Sequence, residues 1–387
     1  MNKEEAKQLY SSRLKDYIDT SNHIEPSYVP VMGYFLTWAV GYAGKLLSDV
    51  LADPDSISEV FRKSYDDVYA DLNWGGITTP LPALEMLGSD AFFISENGYT
   101  IQHRQNSCME ASEYERLTDE GEKFLIDTLG KRKFPNLRDG KENARKALTE
   151  TMLYLDKFNK GTAKYGKMLK EEFGVVQLSD GGKVYPPLDV MFDRIRGFSE
   201  TLTDLRRNRQ RLIDALKVLD PIYRPLTYSA GTGDTYACST LHVPAYLNNR
   251  DFAEILWPEL KDYVMEVYNR GSKTVLFLEG KWNRFFEIMT DSLPKDSILC
   301  CLDGDNALEA NEMIGDHFTV IGCLKTSDLK YQSKQFCLDK TREMLDTCAP
   351  GGGFMFNPVD NGLISTDDVD TKNLIAVCEF AHEYGRY

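Results

Sequence analysis

Short apolar runs alternate with amphipathic helical stretches through the second half of the chain, and this alternation constrains the fold most strongly. It is the pattern of a parallel sheet wound with helices, and several units in succession favour a closed (β/α)₈ barrel of the α/β class over an open sheet. An open nucleotide-binding sheet needs a longer Gly-rich turn than Gly231-Thr-Gly233. The predicted strands are 239–243, 274–278, 297–302, 318–323 and 352–356, and the helices are 252–269, one ending at 290, 307–313, 333–347 and 367–384.

The N-terminal half has a similar but less regular pattern. Gly161 is interpreted as the end of one helix, and Pro221 as the stop signal of another. No Pro/Gly/Ser-rich linker interrupts the 387 residues. We therefore expect a single barrel domain, 1–387, with an N-terminal helical extension over 1–25. The predicted elements of this half are strands at 27–33 and 174–178, helices at 3–20, 54–70, 119–129 and 141–159, and one long helix or a helix pair at 188–219.

The chain carries a large excess of negative charge, with a formal net charge of −15 at pH 7. Such a charge repels nucleic acid and anionic membrane surfaces, so we expect neither as a partner. The charged N-terminus lacks the apolar core of a signal peptide, and no window reaches the ~20 apolar residues of a membrane span. We therefore expect a cytoplasmic protein whose 8 cysteines stay reduced. Whether it forms a homodimer is left open.

The C-terminal end carries the clearest motifs. Cys348-Ala-Pro-Gly-Gly-Gly-Phe-Met-Phe-Asn-Pro358 is followed by the Asn-Leu-Ile-Ala segment of 368–376 and by His382-Glu-Tyr-Gly-Arg-Tyr387. This order of a Gly-Gly-Phe strand, an Asn-Leu-x-Ala helix and a terminal Glu-Tyr-Gly resembles the uroporphyrinogen decarboxylase superfamily. The resemblance implies a barrel enzyme. Weaker similarities follow in order along the chain, at Val29-Pro-Val31, Arg196-Gly197, Asn248–Pro258 and Gly322-Cys323-Leu324.

Two departures from the family pattern narrow the implied activity. Uroporphyrinogen decarboxylases have an Arg-Gln-Ala-Gly-Arg stretch that binds porphyrinogen carboxylates, whereas this chain reads Ile24-Glu-Pro-Ser-Tyr-Val-Pro30. Zinc-bearing cobalamin-dependent methyltransferases have His-x-Cys-Gly after the sixth strand, whereas this chain has Phe277-Leu-Glu279-Gly280. The resemblance therefore implies the corrinoid-dependent branch that demethylates a small substrate, such as an aryl methyl ether in O-demethylase systems. The methyl group would go to cob(I)alamin on a partner corrinoid protein.

Cleavage of an aryl ether requires polarisation of the ether oxygen, which a zinc ion can supply. Candidate zinc ligands lie in or at the ends of predicted barrel strands, where catalytic residues of this fold gather. They are His242, Glu279 and Cys323, and three ligands of mixed N, O and S type leave one position open. Cys301 and Cys348 are alternatives to Cys323.

The candidate catalytic residues are Glu279, His242 and Asp303. Glu279 ends an otherwise apolar strand, where an unused carboxylate is costly. Asp303 ends the next strand and is expected to position substrate, while Asp305 either shares that role or caps the following helix. Gly351, Gly352 and Gly353 leave the backbone free to approach a ligand, so we predict that they bind the cofactor.

Each assignment has a structural alternative. His242 is flanked by apolar residues and could be a core histidine, Cys323 could simply pack, and the basic segment 194–211 is expected to be a solvated outer face. Aromatic residues near strand ends either line a pocket or pack in the core. These residues are Tyr34, Trp38, Trp74, Tyr246 and Trp282.

Two other functions compete with methyl transfer. A metal-free decarboxylase of an organic acid would need cationic residues in the barrel mouth. A barrel that has lost its chemistry would only dock a corrinoid protein, and replacing Glu279 would then change nothing. The arginines that could serve a decarboxylase are Arg104, Arg194, Arg196 and Arg284.

Overall fold

The computed structural model describes residues 2–104, 107–179, 182–227 and 236–387. The segment Gly231–Gly233 lies outside these residues. The strands are β1 (Met32–Gly33), β2 (Leu72–Asn73), β3 (Phe92–Ile94), β4 (Ile101–His103), β5 (Val176–Gln177), β6 (Ala237–Leu241), β7 (Thr274–Leu278), β8 (Ile298–Leu302), β9 (Thr319–Cys323) and β10 (Phe354–Asn357).

Parallel pairing joins all of these strands except the β3–β4 hairpin into a barrel. β1, β2 and β5 pair in that order, and β6 to β10 pair in chain order. A parallel bridge between Val31 and Phe356 joins β10 to β1, and a bridge between Lys183 and Cys238 places the chain after β5 beside β6. The predicted α/β class and (β/α)₈ architecture are confirmed by this arrangement and by the fold relatives described below.

Helices surround the strands and join their ends. The α-helices are α1 (Lys3–Ser21), α2 (Trp38–Tyr42), α3 (Leu47–Ala52), α4 (Ile57–Asp67), α5 (Leu81–Met86), α6 (Tyr114–Glu120), α7 (Glu122–Phe124), α8 (Lys131–Lys133), α9 (Lys141–Met168), α10 (Pro187–Val190), α11 (Phe198–Arg207), α12 (Arg209–Tyr223), α13 (Asn249–Asp251), α14 (Trp257–Asn269), α15 (Phe286–Ser292), α16 (Ala307–Ile314), α17 (Thr326–Tyr331), α18 (Lys334–Cys348) and α19 (Thr371–Tyr384).

Alternate residues of each long strand face the barrel interior. In β7, Val275 and Phe277 belong to the interior cluster, whereas Leu276 and Leu278 pack in the outer core against the helices. Because side chains alternate along a strand, Glu279 continues the interior row at the carboxyl end of β7. The same alternation continues the interior rows of β6 and β8 to His242 and Asp303, whereas Cys323 at the end of β9 packs with the outer core.

The N-terminal helix α1 closes the opposite end of the barrel. Its start is fixed by a capping box between Asn2 and Glu5. Tyr17 of this helix is fully buried in the interior cluster, and its hydroxyl donates to the Leu178 carbonyl at 2.6 Å. The predicted helical extension therefore closes the end of the barrel where the strands begin.

Three glycines at the start of β10 allow α1 and the segment after it to approach closely. Gly353 has φ +77°, and its N–H donates to the Thr20 carbonyl at 3.1 Å. A Cβ there would meet the His23 ring, and one at Gly352 would meet the Ile24 backbone. Gly352 and Gly353 therefore allow close packing at this end, whereas nothing lies within 4 Å of a Cβ at Gly351. The contact of Gly351, Gly352 and Gly353 with a cofactor stays a prediction.

Two predicted helix boundaries are wrong. α9 continues past Gly161, because this glycine lies where α9 crosses the backbone of Pro54 and a side chain would collide there. α12 includes Pro221 in its last turn. Of the two alternatives for 188–219, the single long helix is wrong, because Gly197, with φ +86°, precedes α11 and α12 follows as a separate helix.

Candidate metal and catalytic site

His242 lies between carboxylates from two different parts of the barrel. Its Nδ1 is 2.7 Å from Asp193 Oδ2, and its Nε2 is 3.1 Å from Glu279 Oε1. His242 follows β6 and Glu279 follows β7, and neighbouring parallel strands bring their carboxyl ends together. The structure thus places two of the three predicted zinc ligands in contact.

A second aspartate, Asp189, anchors this histidine. Its carboxylate is buried, and Oδ1 accepts the backbone N–H groups of His242 at 3.1 Å and Val243 at 2.8 Å. The other oxygen, Oδ2, lies 3.7 Å from His242 Nδ1. Asp189 is on α10 and Asp193 is one helical turn later, so both carboxylates face the same ring.

The electrostatics of this cluster favour a cation. Burial, together with the nearby Asp193 charge, raises the pKa of Asp189. Burial opposes protonation of His242, but hydrogen bonds to Asp193 and Glu279 outweigh this effect and raise the pKa of the imidazole. A proton on the ring or a metal ion beside it would reduce the repulsion among the carboxylates.

Asp189, Asp193 and His242 have the geometry of a metal-ligand set. Their candidate ligand atoms lie within 4.8 Å of one another. Sequence reasoning missed both aspartates, because α10 precedes β6 and does not end a strand. The usable signal was the Asp-x-x-x-Asp spacing, which places two carboxylates on one helix face.

The predicted cysteine ligand, Cys323, does not belong to this metal-ligand cluster. Cys323 is buried, and its thiol donates to the Leu302 carbonyl at 3.3 Å. Burial raises the pKa of this thiol well above its ordinary value, so the thiolate that binds zinc is disfavoured. Cys301 is also buried in the interior, and Cys348 lies against the Ala307 carbonyl. Among the described residues, the metal-ligand cluster contains no cysteine.

Asp303 supports the loop that carries Glu279. Its Oδ2 accepts the Gly280 N–H at 2.6 Å, and its Oδ1 accepts from Asn361 Nδ2 at 3.0 Å. Asp305 accepts the backbone N–H of Trp282 at 2.6 Å, so it stabilises the loop after β7. The predicted alternative that Asp305 caps the next helix is wrong, because Asn306 caps α16.

A small cavity of about 80 Å³ opens beside the histidine. It is lined by Asp189, Asp193 and His242 on one side and by Trp74, Tyr185 and the cations Lys183 and Arg194 elsewhere. Arg194 is exposed, as expected for the basic segment 194–211, and it also lies at the rim of this cavity.

The other predicted arginines have structural partners. Arg196 is buried and pairs with Asp204 at 2.8 Å. Arg284 donates to the Leu247 carbonyl at 2.9 Å and so supports the loop after β6. Arg104 donates to the Asp90 carbonyl beside the β3–β4 hairpin.

The predicted aromatic residues divide into two groups. Trp74 stacks on Phe277 with ring centroids 4.6 Å apart, and Tyr34 contacts the same phenyl ring at 5.9 Å. These three rings form an aromatic wall at the barrel mouth. Trp38 and Trp282 are fully buried in the outer core, and Tyr246 packs on Phe198.

Comparisons with known proteins agree with this architecture. Residues 167–384 match the family "Uroporphyrinogen decarboxylase (URO-D)". The fold is similar to that of a methyltransferase from Methanosarcina mazei, with a TM-score of 0.59 and 12% identity over 96% of this chain and 98% of that chain. No curated protein matches the sequence. In the described part of the chain, no helix is long and apolar enough to cross a membrane. The matched stretch exceeds half of the chain, which therefore belongs to the uroporphyrinogen decarboxylase (URO-D) family.

Proposed function

We propose that this protein is a cytoplasmic corrinoid-dependent methyltransferase with one barrel domain. It would take a methyl group from a small methylated substrate, an aryl methyl ether, and transfer it to cob(I)alamin on a partner corrinoid protein. The likeness to a methyltransferase supports this branch of the family only at the level of the fold. The observation that carries the proposal is the cluster of Asp189, Asp193 and His242 beside a cavity at the barrel mouth.

The chemistry of this donor set fits zinc. Imidazole nitrogen and carboxylate oxygen are common zinc ligands, and three protein ligands leave a position for substrate. Asp189, Asp193 and His242 would hold the ion, so two of these three ligands differ from the set His242, Glu279 and Cys323 expected from sequence. When bound, zinc would polarise the ether oxygen and weaken its bond to the methyl carbon.

Glu279 would orient the ligand instead of binding zinc. Its carboxylate is 3.1 Å from His242 Nε2, on the other side of the ring from Asp193. A proton on Nε2 donated to Glu279 leaves Nδ1 unprotonated and directed toward the two aspartates. Such carboxylate–histidine pairs fix the tautomer and raise the basicity of the metal-binding nitrogen. The hydrogen bonds from the backbone N–H groups of residues 242 and 243 would similarly fix Asp189.

The barrel mouth suits a planar substrate. Trp74 lines the cavity with its ring stacked on the buried Phe277, and such aromatic surfaces bind aromatic molecules. The corrinoid, when supplied by its partner protein, would accept the methyl group as the C–O bond breaks. The oxygen would keep the C–O electron pair and take up one proton from solvent, which would yield a phenol. Asp303 holds the Gly280 N–H and would keep Glu279 in place during this exchange.

The test combines metal content with methyl transfer. Protein purified without chelator should contain about one zinc per chain, and with methoxybenzene derivatives it should convert free cob(I)alamin to methylcobalamin. Glu279→Ala should weaken zinc binding roughly 10- to 100-fold, and the exposed Glu287→Ala should serve as the unaffected control. Absence of zinc even after zinc addition, or equal zinc affinity in Glu279→Ala, would overturn the proposed site.

A metal-free decarboxylase is the second candidate. The observation that favours it is the pair of cations Lys183 and Arg194 at the cavity, which suits a carboxylate substrate. Release of carbon dioxide from an aromatic acid by zinc-depleted protein would support this activity. Retention of all carboxyl carbon while methylcobalamin forms would exclude it.

A further inference from the structure

Thr240 is exposed although it lies within a strand of the barrel wall. In the described strands β6 to β10, every other residue is buried, and Thr240 alone is exposed. Barrel interiors are normally filled by side chains, so an exposed residue in such a strand marks a space beside it. Strand formation does not account for its hydroxyl, because valine forms strands as readily as threonine.

The side chain of Thr240 faces the barrel interior. Cys238, two residues earlier in β6, belongs to the interior cluster, and side chains alternate along a strand. In register with Thr240 on β7 is Phe277, which is also an interior residue. His242 follows two residues later, a separation of roughly 7 Å along a strand. The hydroxyl of Thr240 therefore lies one layer deeper in the barrel than the metal-ligand cluster.

The space beside Thr240 is the cavity that the metal-ligand cluster also lines. Its volume is about 80 Å³, and its wall includes Asp189, Asp193 and His242 as well as Thr240. A cavity of about 150 Å³ holds a benzene molecule. The smaller cavity would therefore admit the methoxy end of an aryl ether, while the ring stays at the barrel mouth beside Trp74.

The hydroxyl of Thr240 is available to a substrate. Its neighbour Ser239 donates to the Val184 carbonyl at 2.9 Å, so the serine hydroxyl is already engaged. Within the part of the chain that the structure describes, the Thr240 hydroxyl has no hydrogen-bond partner. Thr240 thus offers the cavity a hydrogen-bond donor that the fold itself does not use.

We propose that Thr240 is a catalytic residue, whose hydroxyl donates a hydrogen bond to the substrate oxygen from which the methyl group departs. This inference rests on the proposed function. As the methyl C–O bond breaks, the oxygen keeps the electron pair and gains negative charge. A donor directed at that oxygen interacts more strongly with the transition state than with the neutral ether, and therefore raises kcat. Thr240 keeps its own proton, because solvent protonates the phenolate.

Methyl transfer from two ethers with different leaving groups tests this role. In 4-nitroanisole the nitro group draws the developing charge away from the oxygen, whereas in 4-methylanisole the charge stays on it. Thr240→Val should lower kcat for 4-methylanisole roughly 10- to 100-fold and for 4-nitroanisole clearly less, with little change in KM. Thr240→Ser keeps the hydroxyl and should retain most of the activity. Thr149→Val, on the exposed face of α9, is the matched control.

Binding of the product tests the same hydrogen bond without turnover. The absorbance of 4-nitrophenolate reports its binding, and its oxygen carries the full charge that the ether oxygen only develops. Thr240→Val should bind 4-nitrophenolate about tenfold more weakly than wild type, and Thr240→Ser should bind it normally. Binding of neutral 4-nitroanisole should be equal in all three proteins, which also shows that the variants are folded.

The role of Thr240 and the proposed function fail separately. Transfer by wild type, with equal effects of Thr240→Val on both ethers and unchanged phenolate binding, would support the methyltransferase and overturn the role of Thr240. Absence of transfer in wild type would reject the methyltransferase, and phenolate binding would then decide alone. Weaker phenolate binding in Thr240→Val would still support the hydrogen bond, whereas equal binding would overturn it.

Discussion

Glu279 Oε1 lies 3.1 Å from His242 Nε2, while Asp193 Oδ2 lies 2.7 Å from the Nδ1 atom of the same ring. The imidazole is thus held from both sides, with one carboxylate from β7 and one from the helical turn after α10. Asp189 lies beside Asp193 on the Nδ1 side of the ring, whereas Glu279 is on the Nε2 side. The two sides therefore differ in chemistry, and the metal is expected on the side with two aspartates.

Substitution of single ligand candidates distinguishes the two possible zinc sites. Asp193→Asn should lower zinc affinity roughly 100-fold or more, because it removes a charged ligand. Cys323→Ala should leave zinc binding unchanged, since the thiol donates to the Leu302 carbonyl. Competition with a chelating dye measures both affinities, and Asp139→Asn, at an exposed position before α9, is the control. Loss of zinc in Cys323→Ala would instead support the ligand set expected from sequence, which includes Cys323.

The role of Glu279 can be separated from that of a ligand by a conservative change. Glu279→Gln retains an oxygen that can accept from His242 Nε2–H, whereas Glu279→Ala does not. We expect Gln to recover most of the zinc affinity and methyl transfer that Ala loses. The measurement is the zinc dissociation constant of both variants, with the initial rate of methylcobalamin formation. If Gln and Ala were equally impaired, Glu279 would act through its charge as a direct ligand.

The carboxyl group of Glu259, away from the proposed metal site, is expected to make the stability of the fold depend on pH. Burial, then the nearby Asp220 charge, raises the pKa of this carboxyl to about 8. Because the folded pKa exceeds the unfolded value, stability falls as pH rises from about 4.5 toward 8. Glu259→Gln should remove this loss and be more stable than wild type by about 2 kcal/mol at pH 8.

At pH 4 the stability difference between Glu259→Gln and wild type should be close to zero. Urea unfolding at both pH values measures it, and Glu287→Gln on the surface of α15 provides the comparison. A Glu259→Gln protein destabilised at pH 8 would instead show that the ionised carboxylate stabilises the fold.

The glycines before β10 give a paired test of their packing role. Gly353→Ala should destabilise the protein by about 3 kcal/mol, because φ is +77° and the new Cβ meets the His23 ring. Gly351→Ala should cost only about 1 kcal/mol, since φ is +87° but nothing lies within 4 Å of its Cβ. Thermal unfolding measures the difference. Zinc content should be normal in both variants, and a selective loss of methyl transfer in Gly351→Ala would instead indicate cofactor contact.

The barrel and one of the three residues of the metal-ligand cluster, His242, could be predicted from sequence. The regular strand–helix alternation fixed the architecture, and a charged residue at the end of an apolar strand pointed to Glu279 and His242. Asp189 and Asp193 could not be found in this way, because they lie on a helix whose position over β6 depends on tertiary contacts. The thiol of Cys323 was predicted as a zinc ligand because a sequence does not show that it donates a hydrogen bond to the Leu302 carbonyl.

The glycines show a different limit of sequence reasoning. A run of three glycines indicates a close backbone approach, but it does not reveal what approaches. Here the neighbour is the segment after α1, at Gly352 and Gly353. Similarly, Arg194 and Arg196 are two residues apart, yet one lines the cavity and the other pairs with Asp204 in the core.

The floor formed by α1, with Tyr17 inserted among the interior side chains, has a kinetic consequence. Small molecules cannot pass through the end of the barrel that this helix closes, so substrate and corrinoid protein would share the opposite entrance. Under the proposed function, the methyl donor has to enter before the corrinoid protein covers that entrance, and the demethylated product leaves after the two proteins separate. Steady-state rates should then follow a compulsory-order mechanism, with excess corrinoid protein inhibiting at low concentrations of methyl donor.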